Sequence, residues 1–247
     1  MIAFSLKHIS KHYQAMHHRK VTALKDISLD IEMGEFFIFV GPSGCGKSTL
    51  LRIASGLDKD FTGTVSFQAD IQPQDISFVF QQFALLPWLT VEQNISLNLL
   101  GRNHTAKEIK MLVNRELERF GLEKFAHSYP RELSGGMRQR VGIARALVSK
   151  PKVLFMDEPF SELDTFTAEE LRAELLTIWQ TLHLTIVMVT HLIPEAIQLG
   201  DRIAVLSPRP GEMAELITND LSRPRNKREK TFFTMEDRVT DILKRYA

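Results

Sequence analysis

A strand-length apolar run leads directly into a glycine-rich loop near the start of the chain. The run is FFIFV (Phe36–Val40) and the loop is GPSGCGKST (Gly41–Thr49). Beyond it, the apolar residues from Ser48 to Gly56 have helical spacing. An ordinary glycine-rich turn is the alternative, but the strand-to-helix context and the spacing both match a phosphate-binding loop. The feature therefore predicts a phosphate site at this turn.

The residue types of the loop predict how it would bind a nucleotide. Glycines let successive backbone N–H groups point into one concavity, and the positive end of the following helix attracts an anion. Lys47 is expected to reach the outer phosphates, and the Ser48 hydroxyl is expected to ligate Mg²⁺. The predicted nucleotide-binding residues of the loop are Gly41, Pro42, Ser43, Gly44, Cys45, Gly46, Lys47, Ser48 and Thr49.

Two adjacent acids end a second apolar run, KVLFMDEP (Lys152–Pro159). Side chains alternate along a strand, so we expect Asp157 and Glu158 to point to different sides. Asp157 is predicted to serve the Mg²⁺ shell, and Glu158 to orient or deprotonate the attacking water. Without the phosphate loop, a pair of solvated acids would be the favoured interpretation.

Two further polar residues follow apolar runs. His191 comes after LTIVMVT and is a candidate hydrogen-bond partner of a terminal phosphate, although a lone histidine is more often structural. Gln81 follows ISFVF, and its amide is a candidate for the metal and water shell.

A second glycine turn, Ser134-Gly135-Gly136, opens the segment ELSGGMRQRVGIARAL. Ser134 is a good N-cap, and the two glycines allow close approach to the N–H groups of the first turn. The helix beyond has a core stripe of Met137, Val141, Ala144 and Val148, with Arg138, Arg140 and Arg145 off that stripe. These features predict a second anion site. Because the first loop already surrounds its phosphates, we expect a symmetric dimer in which each second turn closes over the other chain's nucleotide.

The remaining pattern alternates strands with helices, which predicts a largely parallel sheet with helices on both faces. Further strands are expected at residues 24–31, 63–67, 76–80, 184–189 and 203–206, an amphipathic helix at 167–182, and a helical insertion at about 91–122. The charged run RPRNKREK (Arg223–Lys230) is expected to be solvated before a short final helix.

The net charge and the hydropathy of the chain limit the classes of partner that it can have. The formal net charge is +1, so the chain has no overall electrostatic footprint for nucleic acid. Its apolar stretches fall far short of the roughly 20 residues that a spanning helix needs, so a partner would have to cross any membrane. The start, MIAFSLKHISKHY, has no signal-peptide core, and we expect the chain to remain inside the cell.

Taken together, GPSGCGKST, LSGGM, VLFMDEP, SELD and His191 resemble the ATP-binding subunit of an ABC transporter over about residues 4–215. The resemblance implies an α/β fold: a P-loop NTPase (RecA-like) core with a small antiparallel β subdomain and an inserted α-helical subdomain. It implies one domain over residues 1–247, with the core and β subdomain in 1–86 and 150–222, the helical subdomain with the signature motif in 87–149, and a C-terminal tail in 223–247.

The resemblance also implies residue roles. Tyr13 would stack on adenine, a sensible use of a ring face. Gln81 would link the nucleotide to the transmembrane partner, and Asp164 would communicate across the dimer. The catalytic set is Glu158, His191, Lys47 and Gln81, the metal set is Ser48, Gln81 and Asp157, and the signature residues that contact the opposite ATP are Ser134, Gly135 and Gly136. Arg145 is expected to be structural.

More narrowly, the segments LLPW (Leu85–Trp88) and RIAVLSPRPG (Arg202–Gly211) are similar to those of importers of nitrate, sulfonates and taurine. This implies a homodimer that hydrolyses ATP with Mg²⁺ at the cytoplasmic side of the inner membrane. Its partners would be a membrane permease and an external substrate-binding protein.

Departures from the family pattern are expected to affect coupling rather than hydrolysis. They are Gln82, Met137, Glu162 and Leu192.

Two alternative functions stay open. A non-transport ABC ATPase in DNA repair, chromosome organisation or translation would usually carry long heptad insertions or two cassettes. A small-molecule kinase would not explain residues 134–136.

Overall fold

The chain divides into two units in the computed structural model, which describes residues 1–14 and 20–246. The phosphate-loop unit comprises Met1–Gln72 and Trp179–Ala247, and the signature unit comprises Pro73–Ile178. Each unit contains at least one parallel strand pair together with helices, which confirms the predicted α/β class.

A three-stranded antiparallel sheet forms one part of the phosphate-loop unit. Its strands are β1 (Ile2–Gln14), β2 (Lys20–Glu32) and β4 (Thr62–Phe67), in the order β2-β1-β4. This sheet confirms the small antiparallel β subdomain. The sequence pattern indicated β2 and β4, whereas β1 was not predicted as a strand.

A parallel arrangement carries the glycine loop of the same unit. The central strand β3 (Phe36–Val40) pairs in parallel with β7 (Thr185–Thr190) and β8 (Arg202–Leu206), and β9 (Met213–Thr218) pairs antiparallel with β8. All five residues of β3 are buried, as its continuous apolar run predicted. The helices of this unit are α1 (Lys47–Ala54), α6 (Ile193–Leu199) and α7 (Lys230–Tyr246).

The signature unit combines a strand pair with the predicted helical insertion. Strand β5 (Ile76–Val79) runs parallel to β6 (Val153–Asp157). The helices are α2 (Val91–Ser96), α3 (Ala106–Arg119), α4 (Gly135–Leu147) and the greater part of α5 (Thr165–Leu182). Both α2 and α3 begin with capping boxes, Thr90 with Gln93 and Thr105 with Glu108, which satisfy first-turn N–H groups. The core stripe of α4 is confirmed, because Val141, Ala144 and Val148 are buried.

The expectation that the run Arg223–Lys230 is solvated is wrong for its first two arginines. Arg223 pairs with Asp201, and its guanidinium lies 4.6 Å from the Trp179 ring centroid. Arg225 is 9% exposed and donates to the carbonyls of Ile197 at 2.9 Å and Gly200 at 2.6 Å. These carbonyls are at and beyond the end of α6, where helix carbonyls lack intrahelical partners.

The final helix is also part of the phosphate-loop unit. α7 packs against α6, β8 and β9, and it buries Phe232, Val239 and Ile242. Among the described residues, no helix combines the length and apolarity that crossing a membrane requires.

Candidate nucleotide site

The glycine loop follows β3 and adopts a conformation that depends on glycine at specific positions. Gly44 and Gly46 have φ values of 77° and 106°, in the region that side chains disfavour. A Cβ atom on Gly46 would also lie 2.6 Å from Leu24 Cδ2 and 3.0 Å from the Ala23 carbonyl. The loop can therefore curl into the start of α1 only with glycine at position 46.

Lys47 places its ammonium group within the curl of the loop. Its side chain is buried, and Nζ donates to the carbonyl oxygens of Gly41 at 2.8 Å and Pro42 at 3.1 Å. The loop thus holds a positive charge directly against its own backbone, as a phosphate site needs.

Cys45 has no reactive character in this loop. The thiol is 1% exposed, and burial raises its pKa, with only partial opposition from the nearby Lys47 ammonium. A thiol is nucleophilic only as thiolate, so Cys45 behaves as a small buried side chain.

His191 lies next to the loop, as the sequence predicted. It lines a cavity of about 710 Å³ together with Gly41, Pro42, Ser43 and Gly44. The imidazole is therefore beside the loop that is predicted to bind phosphate.

Arg209, which was not among the predicted site residues, lines the same cavity. Its guanidinium donates to the Gly44 carbonyl, from Nε at 3.3 Å and Nη2 at 3.1 Å. Arg209 lies in the Pro-rich turn after β8, which the sequence indicated only as a turn and a subfamily feature. It adds a second positive charge at the edge of the loop.

Tyr13 is connected to the same loop from β1. Its phenol oxygen is 3.2 Å from Thr49 Oγ1, and the residue is 45% exposed. The buried Lys11 ammonium lies 5.0 Å from the ring centroid, where it makes a cation–π contact on one face. The aromatic ring is thus held at a fixed position relative to α1.

The predicted acids lie in the signature unit, at the end of β6. Asp157 is the last residue of that strand and is 2% exposed. Glu158 lies beyond the strand with φ of 43°, a left-handed conformation that is uncommon for a residue with a side chain. Strand alternation therefore does not apply to this pair, because Glu158 lies beyond the end of the strand.

Gln81 is half-buried in the segment between β5 and α2.

The signature unit also contains the second glycine turn, at the start of α4. Ser134 is its N-cap and accepts a hydrogen bond from the Met137 N–H at 3.3 Å, which confirms the predicted cap. Met137 provides no reciprocal side-chain bond, as expected.

The glycines of this turn have different neighbours. A Cβ atom on Gly136 would lie 2.5 Å from Thr167 Cγ2 on α5, whereas one on Gly135 would meet nothing closer than the Glu162 carbonyl at 3.7 Å. Gly136 is therefore needed for helix packing within the chain. Gly135 has room for a side chain.

Asp164 has a local role that the sequence did not reveal. Its Oδ1 accepts hydrogen bonds from the N–H groups of Phe166 and Thr167, each at 3.1 Å, and so caps the start of α5. The hydrogen bonds from Thr167 and the neighbouring backbone also lower the pKa of this carboxyl group.

The three arginines of α4, which the sequence placed off the core stripe, bind partners in the same unit. Arg138 donates to the Leu133 carbonyl, Arg140 pairs with Glu174, and Arg145 donates to two backbone carbonyls. All three bind partners within the signature unit, and Arg145 is structural, as predicted.

Comparison with known proteins identifies the class to which this fold and these sites belong. The sequence model of the family described as "ABC transporter" matches residues 24–161. The chain belongs to this family, as an ATP-hydrolysing subunit. This confirms the resemblance seen in the motifs and disfavours the non-transport alternative.

Individual relatives are similar over almost their whole length. The aliphatic sulfonates import ATP-binding protein SsuB of Bacillus thuringiensis is 44% identical over 95% of this chain and 93% of its own. The nitrate import ATP-binding protein NrtD of Synechocystis is 44% identical over 91% of this chain and 89% of its own. A solved dimeric ATP-binding cassette, in a post-hydrolysis state with ADP and Pi, matches with a TM-score of 0.77 and 35% identity over 90% of this chain and 99% of its own.

Proposed function

We propose that two copies of this chain bind two MgATP and use hydrolysis to drive uptake of a small anion, of the aliphatic sulfonate or nitrate class, through a membrane permease. A substrate-binding protein outside the membrane would deliver the anion, and the chain would lie at the cytoplasmic side of the inner membrane. The names of the sulfonate and nitrate relatives support the substrate class. No nucleic-acid role is proposed, because the net charge of +1 gives no attraction for a polyanion.

The phosphate loop would bind the triphosphate of ATP. Its N–H groups, from Gly41 to Thr49, would face the phosphate oxygens. Lys47 would exchange its bonds to the Gly41 and Pro42 carbonyls for bonds to the outer phosphates. The adenine would stack on the face of Tyr13 opposite the Lys11 ammonium.

The predicted metal residues suit Mg²⁺ in their chemistry. A hydroxyl (Ser48), an amide (Gln81) and a carboxylate (Asp157) are hard oxygen donors, and Mg²⁺ typically takes one or two such protein ligands with waters and phosphate oxygens. Asp157 is buried at the end of an apolar strand. A buried carboxylate at such a position is suited to binding a cation. When bound, the ion would neutralise charge on the β- and γ-phosphates.

Glu158 and His191 would act on the attacking water and the terminal phosphate. Glu158 would accept the proton of the water, and the strained φ at this position is typical of residues held for function. His191, beside the loop in the cavity, would donate a hydrogen bond to the terminal phosphate and so respond to its presence.

The second glycine turn carries the proposal of a composite site. Ser134, Gly135 and Gly136 begin a helix of 13 residues, so several N–H groups are available there for an anion. Since one phosphate loop already surrounds its own nucleotide, this turn would close over the ATP held by the second copy. ATP would then hold the dimer closed, and loss of the terminal phosphate would release it.

A charge change at Gly135 tests the composite site with little disturbance of the fold. Gly135→Asp introduces a carboxylate where a phosphate is proposed to bind, yet acids are favoured in the first turn of a helix. We expect ATP binding to persist and hydrolysis to fall by about two orders of magnitude, as for loss of one oxyanion donor. Gly135→Asn is the neutral control of matched size and should retain much more activity. Equal activity in the two variants would contradict an anion at this turn.

The substrate class is tested in the source organism. Deletion of the coding sequence should abolish growth on either an alkanesulfonate as sole sulfur source or nitrate as sole nitrogen source. Glu158→Gln should not restore that growth, whereas the unaltered chain should. Unchanged growth on both sources would contradict the proposed class.

A further inference from the structure

The segment from Gln81 to Thr90 is fixed at its second half by one buried side chain. Asn94 of α2 is fully buried, and its Nδ2 donates to the carbonyls of Leu86, Leu89 and Thr90 at 3.0 to 3.1 Å. Its Oδ1 accepts from the Leu86 N–H at 2.8 Å. These bonds fix the backbone on either side of Trp88, which is 69% exposed.

The first half of the same segment is held by α4, the helix that begins at the signature turn. Arg145 donates from Nη1 to the Ala84 carbonyl at 2.7 Å and from Nη2 to the Phe83 carbonyl at 3.0 Å. Ala84 has φ of 46°, which is uncommon for a residue with a side chain, so the guanidinium fork fixes a backbone that would otherwise relax.

A second arginine of α4 contacts both the segment and the residue that precedes the signature turn. The Arg138 guanidinium lies 5.3 Å from the Phe83 ring centroid, and its Nη1 donates to the Leu133 carbonyl at 2.7 Å. Leu133 directly precedes Ser134, the N-cap of α4. One side chain therefore joins Phe83 to the base of the signature turn.

The geometry of the helix explains why these two residues act on the same segment. Arg138 and Arg145 are seven positions apart, which places them two turns apart on one helical face. Gly142 lies on that face between them, and a Cβ atom added there would meet the Phe83 carbonyl at 3.6 Å. The segment thus lies close against α4, with an arginine at each end of the contact.

We propose that Arg138 and Arg145 are positioning residues that make the Gln81–Trp88 segment and the Ser134–Gly136 turn move as one body. A displacement at the exposed Trp88 would reach the signature turn through Phe83 and Arg138 without rearrangement of a flexible loop. The idea that a permease supplies this displacement rests on the proposed function. The link itself is a property of the isolated chain.

Hydrogen exchange of the isolated full-length chain tests the link. Arg145→Lys keeps the charge but cannot donate to two carbonyls in the geometry of the guanidinium fork. Backbone amides in peptides covering residues 82–86 and 133–137 should then exchange about tenfold faster or more, as expected for loss of one charge-assisted hydrogen bond. Arg140→Lys is the matched control, because Arg140 is on the same helix but pairs with Glu174, and it should leave both peptides unchanged. Faster exchange in 82–86 alone would overturn the proposal.

The assembled transporter tests the consequence. With Arg138→Lys or Arg145→Lys, stimulation of ATPase activity by transported substrate should fall about tenfold while the KM for ATP changes less than twofold. Arg140→Lys should leave both values unchanged. Full stimulation in the Arg145→Lys transporter would overturn the proposal. If no substrate stimulates the ATPase activity of the unaltered transporter, the proposed function is contradicted. The hydrogen-exchange measurement then tests the link between the segment and the turn by itself.

Discussion

At the scale of single residues, Glu158 shows where the prediction from the sequence rested on an incomplete physical reason. The apolar strand followed by two acids was enough to make the pair candidates. The strand ends at Asp157, however, and Glu158 takes a left-handed φ of 43° that no periodicity reveals. Backbone strain of this kind depends on what the rest of the structure imposes, so local patterns do not predict it.

Replacing Glu158 with glutamine tests its role as the base. Glutamine has the same shape and leaves the backbone preference almost unaltered, but it cannot accept a proton at neutral pH. We expect ATP binding to persist, hydrolysis to slow by about 10²–10⁴-fold, and a closed dimer to accumulate with ATP. Single-turnover hydrolysis and size-exclusion chromatography with ATP would measure these effects.

Glu162→Gln is the matched control for this variant. Glu162 is an exposed acid in the same turn region, and its neutralisation should leave hydrolysis within about twofold, as for a surface substitution. Normal turnover in Glu158→Gln would show that another group accepts the proton.

At the scale of elements, continuous apolar runs predicted the strands well. β3, β6, β7 and β8 are almost wholly buried, and each contains a run of at least four apolar residues. β1 was missed because register shifts between Leu6, Ile9 and Lys11 interrupt its alternation. β9 was missed because only Ile217 among its six residues is buried, so it has little pattern to detect.

The basic run after β9 shows a different error. Its composition predicted that its side chains are solvated, whereas the fold provides partners for its first two arginines. Burial lowers the pKa of Arg225 to about 10, so the group stays charged at neutral pH and is satisfied by carbonyls. These acceptors are the carbonyls of Ile197, Gln198, Gly200, Asn219 and Leu221. They are brought together by the end of α6 and the turn after β9, which local sequence cannot predict.

Arg225→Met should therefore destabilise the phosphate-loop unit. The variant leaves several carbonyls without a donor, and we expect the free energy of unfolding to fall by about 3 kcal/mol. Urea denaturation followed by tryptophan fluorescence measures this, since Trp179 stacks on the adjacent Arg223. Arg228→Met, at an exposed position in the same run, should change it by less than about 0.5 kcal/mol. Equal stability of the two variants would show that Arg225 is not a structural residue.

At the scale of the whole molecule, the sequence predicted the family, whereas the physical surroundings of the candidate site residues are visible only in the structure. The glycines of the signature turn illustrate this. Both glycines were predicted to allow close approach of a nucleotide. Gly136 is also required for the close packing of Thr167. Asp164 caps the helix that contains Thr167. A substitution at Gly136 would therefore affect both folding and catalysis, whereas a substitution at Gly135 can affect catalysis without disturbing the fold.

The central claim is that each ATP site combines the phosphate loop of one chain with the signature turn of the other. Mixing two inactive variants, Lys47→Ala and Gly135→Asp, tests this directly. In a mixed dimer of the proposed kind, both defects fall in one site, and the other site contains an intact loop and an intact turn. ATPase activity should then return to about one quarter of the unaltered value, because half of the dimers are mixed and each has one intact site of two. Mixed dimers that hydrolyse no more ATP than either parent would contradict the claim.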